Sequence, residues 1–246
     1  MTNSGMHFEA FFLEGGKGNI FSVFFSPVGK QRATIIFIPP FAEEANRCRA
    51  IVAQQARALA ASGYGCLLID PYGTGDSEGD LHDASWKIWC NDIWAAIKWS
   101  KEKSDGDVIL WGVRLGALLA IDLANKYPII ISNLILWQPV INGKTYLTQF
   151  LRQRIISLSE RNEPAETTAE MLTKLENGQQ LEIAGYRLAR ELVFDIKSHA
   201  IKTVDQLDAV KFVWLETIPK EGADISIASK GAIEHLKNIG TEVKIG

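Results

Sequence analysis

The chain has 246 residues, 47% hydrophobic and 22% charged, which is typical of one globular domain, or one domain with an insertion. The formal net charge is −3 with no long basic run, which argues against nucleic acid as a partner, and no apolar run is long enough to span a bilayer. Three scattered cysteines (Cys48, Cys66 and Cys90) favour a reducing cytoplasm over a disulfide framework or a metal site.

The first part of the chain alternates between strands and helices. Two alternating segments joined by Gly15–Gly18 predict a β-hairpin. Continuous apolar runs then predict strands buried on both faces, and helical spacing predicts helices between them. The predicted strands are 7–13, 20–26, 34–38, 65–70, 108–111 and 133–137, and the predicted helices are 46–63, 86–103 and 115–127.

The pattern changes at about residue 145. Apolar residues recur at helical spacing from there to about residue 208, except in a short extended piece at 181–183. A strand at 210–215, a helix at 225–238 and a last strand at 241–245 follow. We therefore predict a core formed by 1–144 and 209–246, with 145–208 inserted as a helical cap.

Alternating strands and helices indicate an α/β fold with a mostly parallel sheet covered on both faces by helices. In such sheets, ligands bind at the carboxyl ends of the strands. Three polar side chains fall at or just beyond such ends, namely Asp70, Arg114 and Gln138. We expect Gln138 to contribute to ligand binding.

The segment Val108-Ile-Leu-Trp-Gly-Val-Arg-Leu-Gly-Ala117 reads as strand, tight turn and helix start. This is the context in which a serine hydrolase carries Gly-x-Ser-x-Gly, the nucleophile elbow. The central residue here is Arg114, so the position of the nucleophile holds a permanent cation.

Several further motifs accompany the elbow. They are Pro39-Pro-Phe-Ala-Glu-Glu-Ala-Asn46, Tyr72-Gly-Thr-Gly-Asp-Ser-Glu-Gly-Asp80, Leu136-Trp-Gln-Pro-Val140 and Ala184-Gly-Tyr186. Together they resemble the α/β-hydrolase fold and, within it, the type-2 hydrolases associated with the exosortase A system. The resemblance implies bacterial loci for exopolysaccharide and PEP-CTERM proteins, a hydrolase acting on esters or thioesters, and an elbow at which arginine is usual.

The rest of a catalytic triad is incomplete. Asp224, just past a predicted strand, is the candidate acid, and Glu216 is the alternative. A catalytic histidine normally follows the last strand, whereas the histidines here lie elsewhere. They are His7, His82, His199 and His235.

Arg114 stays protonated and acts neither as nucleophile nor as base. A guanidinium above the sheet requires an anion. One hypothesis is an internal carboxylate: Glu43, Glu44, Asp70, Asp76 or Asp224. The other is a ligand carboxylate or phosphate, which arginine binds in bidentate fashion.

Backbone N–H groups offer a second means of binding. The amides of Phe41 and Leu115 occupy the positions of an oxyanion hole, although both also fit an ordinary loop and helix start. Beside Arg114 they predict an anion pocket at a helix N-terminus.

The glycines at 73, 75 and 79 do not match the dinucleotide spacing, and the acidic residues between and beside them would repel a pyrophosphate. We interpret that segment as a turn and expect no cofactor. Ser77 is the remaining candidate for a displaced nucleophile.

Two functions therefore remain open. One is an acyl hydrolase in which Arg114 stabilises charge and another group or a water attacks. The other is a non-catalytic hydrolase-fold protein that binds an anionic or acylated small molecule or a protein partner. The missing serine and histidine favour binding, and the resemblance favours hydrolysis.

Overall fold

The computed structural model describes residues 7–205, 207, 210–218, 220 and 222–246. A sheet of eight strands, in the order β1-β2-β4-β3-β5-β6-β9-β10, forms its centre, and a separate pair, β7-β8, lies outside it. The strands are β1 Phe8–Glu14, β2 Asn19–Phe25, β3 Ala33–Ile38, β4 Tyr64–Ile69, β5 Asp107–Val113, β6 Asn133–Trp137, β7 Leu181–Ile183, β8 Tyr186–Leu188, β9 Lys211–Leu215 and β10 Glu242–Ile245. The helices are α1 Glu43–Ala61, α2 Trp86–Lys103, α3 Leu115–Lys126, α4 Gly143–Glu160, α5 Thr168–Glu176, α6 Arg190–Ser198 and α7 Ile227–Asn238.

The sheet is mostly parallel, as predicted. β1 and β2 form an antiparallel hairpin that also pairs antiparallel with β4, whereas β4, β3, β5, β6, β9 and β10 run parallel to one another. Strand β3 is buried at every position, which explains its unbroken apolar sequence. The sequence therefore predicted the mostly parallel sheet correctly.

Helices cover the two faces of the sheet. Val52 and Ala56 of α1 pack with Phe37 and Trp111 on one face. The helices α2, α3 and α7 pack on the other face in a larger core. Within the described residues, no helix combines the length and the hydropathy needed to cross a bilayer.

The segment between β6 and β9 contains α4, α5, α6 and the β7-β8 hairpin. Its helices were predicted, but only β7 of its hairpin was anticipated, because three-residue strands give too little alternation to recognise. Phe150 of α4 contacts Phe41 edge-on, with ring centroids 5.0 Å apart, so the segment packs against the loop after β3. The predicted boundary at 208–209 lies outside the described residues.

Helix α1 begins at Glu43, three residues earlier than predicted. Ala42 precedes it with φ 54°, so the chain turns sharply after Phe41. Two acidic residues, Glu43 and Glu44, occupy the first turn, where the helix dipole favours negative charge. The early start places Glu44 on a rigid helix above the carboxyl ends of the strands.

Asp92 on α2 ties two loops to the core. Its carboxylate accepts hydrogen bonds from the backbone N–H of Gly16 (2.7 Å) and of Tyr72 (2.8 Å). The side chain is buried, and this burial raises the pKa of Asp92 although both hydrogen bonds act in the opposite direction. One carboxylate thus fixes both the β1-β2 turn and the loop that follows β4.

Candidate functional site

Arg114 forms the turn between β5 and α3 in a strained conformation, with φ 53° and ψ −116°. Its N–H donates to the carbonyl of Trp137 (3.1 Å), and its own carbonyl accepts from the N–H of Val140 (3.1 Å). A non-glycine residue in this region costs about 1–3 kcal/mol and persists only where the surroundings impose it. The neighbouring strand end imposes it here and directs the side chain above the sheet.

Two glycines allow this turn to pack closely. A Cβ on Gly112 would lie 2.5 Å from the Cα of Ala117. A Cβ on Gly116 would lie 2.7 Å from the carbonyl oxygen of Pro39 and closer still to that of Ile38. Because these neighbours are backbone atoms, neither position has room for a side chain.

The guanidinium of Arg114 is held by three groups. Its Nε donates to Oε1 of Glu44 (3.2 Å), and its Nη1 donates to the carbonyl of Gln138 (3.3 Å). The Tyr146 ring lies 5.7 Å from its Cζ, a cation–π distance. The Arg114 side chain is 32% exposed, so the ion pair with Glu44 is accessible to solvent and to a ligand.

Tyr146 fixes the other oxygen of Glu44. Its hydroxyl donates to Oε2 of Glu44 at 2.9 Å. Burial, followed by the charge of Glu44, raises the pKa of the Tyr146 hydroxyl well above its usual range, so it remains a hydrogen-bond donor. Glu44 is thereby clamped between a cation and a phenol.

A cavity of about 150 Å³ opens beside this arrangement. It is lined by Phe41, Glu43, Glu44, Arg114, Tyr146, Gln149, Phe150 and Gln153. Gln149 and Gln153 lie one turn apart on α4 and bring two side-chain amides to the cavity. Within the described chain, Nη2 of Arg114 makes no hydrogen bond and is free to donate to a ligand.

The two amides predicted for an oxyanion hole flank the elbow. Phe41 precedes the sharp turn at Ala42, and Leu115 is the first residue of α3. Across the residues that the structure describes, neither N–H donates a backbone hydrogen bond. Phe41 lines the cavity, whereas Leu115 is 1% exposed and is not among the lining residues.

Glu43 and Gln138, both predicted to contribute to ligand binding, make contacts within the protein, and Glu43 also lines the cavity. Glu43 accepts hydrogen bonds from Asn46 (3.2 Å) and from the hydroxyl of Tyr186 (3.4 Å), so it links α1 to the β7-β8 hairpin. Gln138 offers its carbonyl to Arg114, while its side-chain oxygen accepts from the N–H of Thr217 (2.9 Å). Gln138 therefore supports the arginine and is not among the residues that line the cavity.

Asp224 lies away from this group. Its side chain is 83% exposed and pairs with Lys230 at 2.8 Å, beside a different cavity near α7. Glu216 accepts a hydrogen bond from the indole of Trp214 at 3.0 Å. The structure therefore does not bring either candidate acid to Arg114.

The described histidines also lie outside the cavity. His199 stacks on Trp86 with ring centroids 4.0 Å apart, and Nε2 of His235 lies 2.9 Å from the carbonyl of Val204. His7 lies beside Ser26. His82 lies near Asp80 and Asp83, a group within metal-binding reach that the sequence analysis missed. Those two carboxylates already face Arg187 (3.5 Å) and Lys17 (4.0 Å).

Ser77 has a structural role in the loop after β4. Its hydroxyl donates to the carbonyl of Asp70 and accepts from the N–H of Phe21 (2.7 Å). The Asp70 carboxylate pairs with Arg49 at 2.8 Å. The loop therefore fastens the hairpin strand β2 to β4, in agreement with its interpretation as a turn.

The chain matches a known protein family. The family profile described as "Serine aminopeptidase, S33" matches residues 29–221. No curated protein sequence matches the chain.

Solved structures are similar over nearly the whole chain. Est1E of Butyrivibrio proteoclasticus, solved with bound ferulic acid, has a TM-score of 0.64 at 16% identity, covering 96% of this chain and 89% of its own. A thermostable carboxyl esterase of Bacillus coagulans has a TM-score of 0.65 at 16% identity, covering 98% and 89%. Mouse alpha/beta hydrolase domain-containing protein 10 has a TM-score of 0.62 at 16% identity, covering 96% and 87%. At these identities the similarity establishes the fold alone.

Proposed function

Because the chain belongs to the serine aminopeptidase S33 family of α/β-hydrolases yet carries Arg114 at the elbow, we propose that it binds an acylated, anionic small molecule and does not perform serine hydrolysis. The observation that carries this proposal is the orientation of Arg114. The strained turn that would present a nucleophile presents a guanidinium with a free donor, and the backbone N–H groups of Phe41 and Leu115 make no backbone hydrogen bond within the described chain. A carbonyl oxygen fits the amides of Phe41 and Leu115, and a carboxylate fits Arg114.

Glu44 occupies the place of such a carboxylate in the structure. The cavity lining carries one cation, Arg114, and two carboxylates, Glu43 and Glu44, so it has no excess of positive charge while the pair between Arg114 and Glu44 is intact. A ligand carboxylate would therefore exchange with Glu44 at the guanidinium. We further propose that α4 to α6 act as a cap over this cavity, with the core formed by 1–144 and 209–246.

The motifs around the elbow support a finer assignment to the type-2 hydrolases of the exosortase A system, at bacterial loci for exopolysaccharide and PEP-CTERM proteins. The free thiols of Cys48, Cys66 and Cys90 support a cytoplasmic location.

Acyl hydrolysis is the second candidate, and the unpaired amides of Phe41 and Leu115 favour it. A water molecule would attack the carbonyl carbon, and Glu44, one of two carboxylates that line the cavity, would accept its proton. The tetrahedral intermediate would then collapse with cleavage of the acyl carbon–oxygen bond, and protonated Glu44 would return the proton to the departing alcohol. Arg114 and the two amides would stabilise the oxyanion. This route forms no acyl-enzyme.

A fluorophosphonate probe is expected to leave the protein unlabelled. The reagent requires an activated serine, whereas the elbow holds Arg114 and no described histidine lines the cavity. Intact-protein mass spectrometry after incubation measures the label, with an active serine esterase treated in parallel. Stoichiometric modification of any serine would refute non-serine chemistry.

Monomethyl succinate, which carries one ester carbonyl and one carboxylate, is expected to bind in the Arg114 cavity. Saturation-transfer NMR should show at least tenfold weaker binding in Arg114→Met, and stronger binding in Glu44→Gln because the competing carboxylate is gone. Arg187→Met, an exposed arginine on the β7-β8 hairpin, is the matched control and should bind as the wild type does.

Dimethyl succinate tests the contribution of the ester carbonyl without that of the carboxylate. It lacks the carboxylate and should bind weakly to every variant. Equal affinity of monomethyl succinate for wild type and Arg114→Met would overturn the assignment. Release of methanol that depends on Glu44 would instead select the hydrolytic candidate.

A further inference from the structure

A second cavity lies between α1 and the face of the sheet that this helix covers. It occupies about 190 Å³ between α1 and the strands β2, β3 and β4 and shares no lining residue with the Arg114 cavity. Aromatic and aliphatic side chains dominate its walls, namely Phe21, Phe25, Phe37, Val23, Val52 and Leu68. It has the apolar lining typical of a small-molecule site.

The cavity arises from the sequence of two elements. Alternate residues of β2, namely Phe21, Val23 and Phe25, face α1 together because side chains alternate along a strand. The facing helix carries small residues at Ala45 and Ala53, which leave the space unfilled.

The adjoining strand β1 extends this apolar surface. Phe12 pairs with Phe21 and Phe8 pairs with Phe25, with ring centroids 5.6 and 5.8 Å apart. Phe8 and Phe12 are 59% and 58% exposed. The apolar strip therefore continues from the cavity to the edge of the sheet.

The two ends of the cavity differ in charge. At the Phe21 end, Arg49 and Asp70 neutralise each other at 2.8 Å, and Asp70 also accepts the N–H of Asp76. At the other end, the Arg57 guanidinium lies 5.5 Å above the Phe25 ring, and among the described residues it has no acidic partner. The available positive charge is therefore at the Phe25 end.

The thiol of Cys48 adds no charge to the cavity. Burial raises the pKa of Cys48 to about 11, so the wall that it contributes is uncharged at neutral pH. The cavity therefore has an apolar lining, and in the part of the chain that the structure describes Arg57 is a cation without an acidic partner near its Phe25 end.

We propose that this cavity binds a single-chain amphiphile, a medium-length aliphatic chain with a terminal anion. The chain lies along Phe21, Val23 and Phe25, a length of ~13 Å of strand, and the anion meets Arg57. The aliphatic chain ends at the neutral pair of Arg49 and Asp70. The site is independent of the proposed function at Arg114.

Octanoate titration by calorimetry tests the proposal, with hexanoate, butanoate and octanol as comparisons. One octanoate is expected per chain. Affinity should rise about fourfold for each added methylene, the factor that corresponds to ~0.8 kcal/mol per buried CH₂. Octanol should bind about tenfold more weakly than octanoate because it lacks the anion.

Matched variants test separately where the aliphatic chain of octanoate and its carboxylate bind. Ala53→Phe should fill the cavity and abolish binding, whereas Ala58→Phe, on an exposed position of the same helix, should not. Arg57→Gln should reduce octanoate affinity to that of octanol and leave octanol unchanged. Arg32→Gln removes a comparable arginine, stacked 4.9 Å from the Tyr64 ring, and should have no effect.

Three outcomes would overturn the proposal. One is the absence of saturable octanoate binding, and another is unchanged binding in Ala53→Phe. A third is loss of binding in Arg114→Met, which would place octanoate at the elbow. Sedimentation equilibrium completes the test. If the protein forms a dimer that Ala53→Phe dissociates and octanoate leaves intact, the apolar strip of β1 and β2 is a contact with a second copy of the chain and not a ligand site.

Discussion

Gly116→Ala is expected to prevent the protein from folding stably. The added Cβ would collide with the backbone carbonyls of Ile38 and Pro39, which belong to the central strand and the loop beside the site. Backbone atoms of a buried strand cannot move aside as a side-chain end can. We expect a loss of about 4 kcal/mol or more in the free energy of unfolding, at the upper end for single substitutions and a large share of the usual ~5–15 kcal/mol.

Urea unfolding followed by circular dichroism measures this effect, and the soluble yield supplements it. Gly231→Ala is the control, because a Cβ there meets nothing closer than 3.7 Å and the residue lies within α7. That substitution should stabilise the protein by up to ~1 kcal/mol through helix propensity. A Gly116→Ala protein that unfolds at the wild-type urea concentration would show that α3 does not approach β3 as described.

Asp92→Ala is expected to lower the free energy of unfolding by about 2–4 kcal/mol. It removes the acceptor of the buried Tyr72 N–H, and an unsatisfied buried donor costs ~1–3 kcal/mol. It also frees the N–H of Gly16 and leaves a small cavity beneath the β1-β2 turn. The free energy of unfolding of Asp92→Asn should lie between those of the wild type and Asp92→Ala, because asparagine keeps one acceptor but places an N–H₂ group against a donor.

Hydrogen exchange adds a local measurement to the unfolding experiment. The amides of Gly16 and Tyr72 should lose protection in Asp92→Ala. Glu102→Ala, which removes an exposed carboxylate from the same helix, should change stability by less than ~0.5 kcal/mol. Equal stability of Asp92→Ala and Glu102→Ala would contradict the role assigned to the buried carboxylate.

The fold was predictable because the sheet is built from strands that are apolar on both faces. Strands such as Ala33–Ile38 carry a local signal that survives without tertiary information. The start of α1 was not predictable, because no capping side chain marks it and the turn at Ala42 depends on the loop packing around it. The extended piece that forms β7 was predicted, but β8 and its pairing with β7 were missed, because each strand is stabilised by its partner and has little pattern of its own.

The site was predictable at its centre and not at its rim. The Gly-x-Arg-x-Gly turn placed Arg114, and charge balance identified Glu44 as one of several possible partners. Tyr146, Gln149 and Gln153 were missed because they lie on α4, in the segment inserted after β6, and only the packing of that segment brings them to Arg114. Their spacing of three and four residues was the available signal, because it places all three on one helix face.

The position of the β6–β9 segment affects how the chain folds. β6 and β9 are neighbours in the sheet, with Trp137 opposite Leu215, although more than seventy residues separate them along the chain. Their pairing closes a long loop, whose entropic cost grows only with the logarithm of its length, by ~0.6 kcal/mol for each doubling. Evolution can therefore lengthen, shorten or exchange the α4–α6 segment at small thermodynamic cost. The elbow turn and its two glycines lie wholly before this segment, so recognition at Arg114 can diversify while the geometry of the elbow is inherited unchanged.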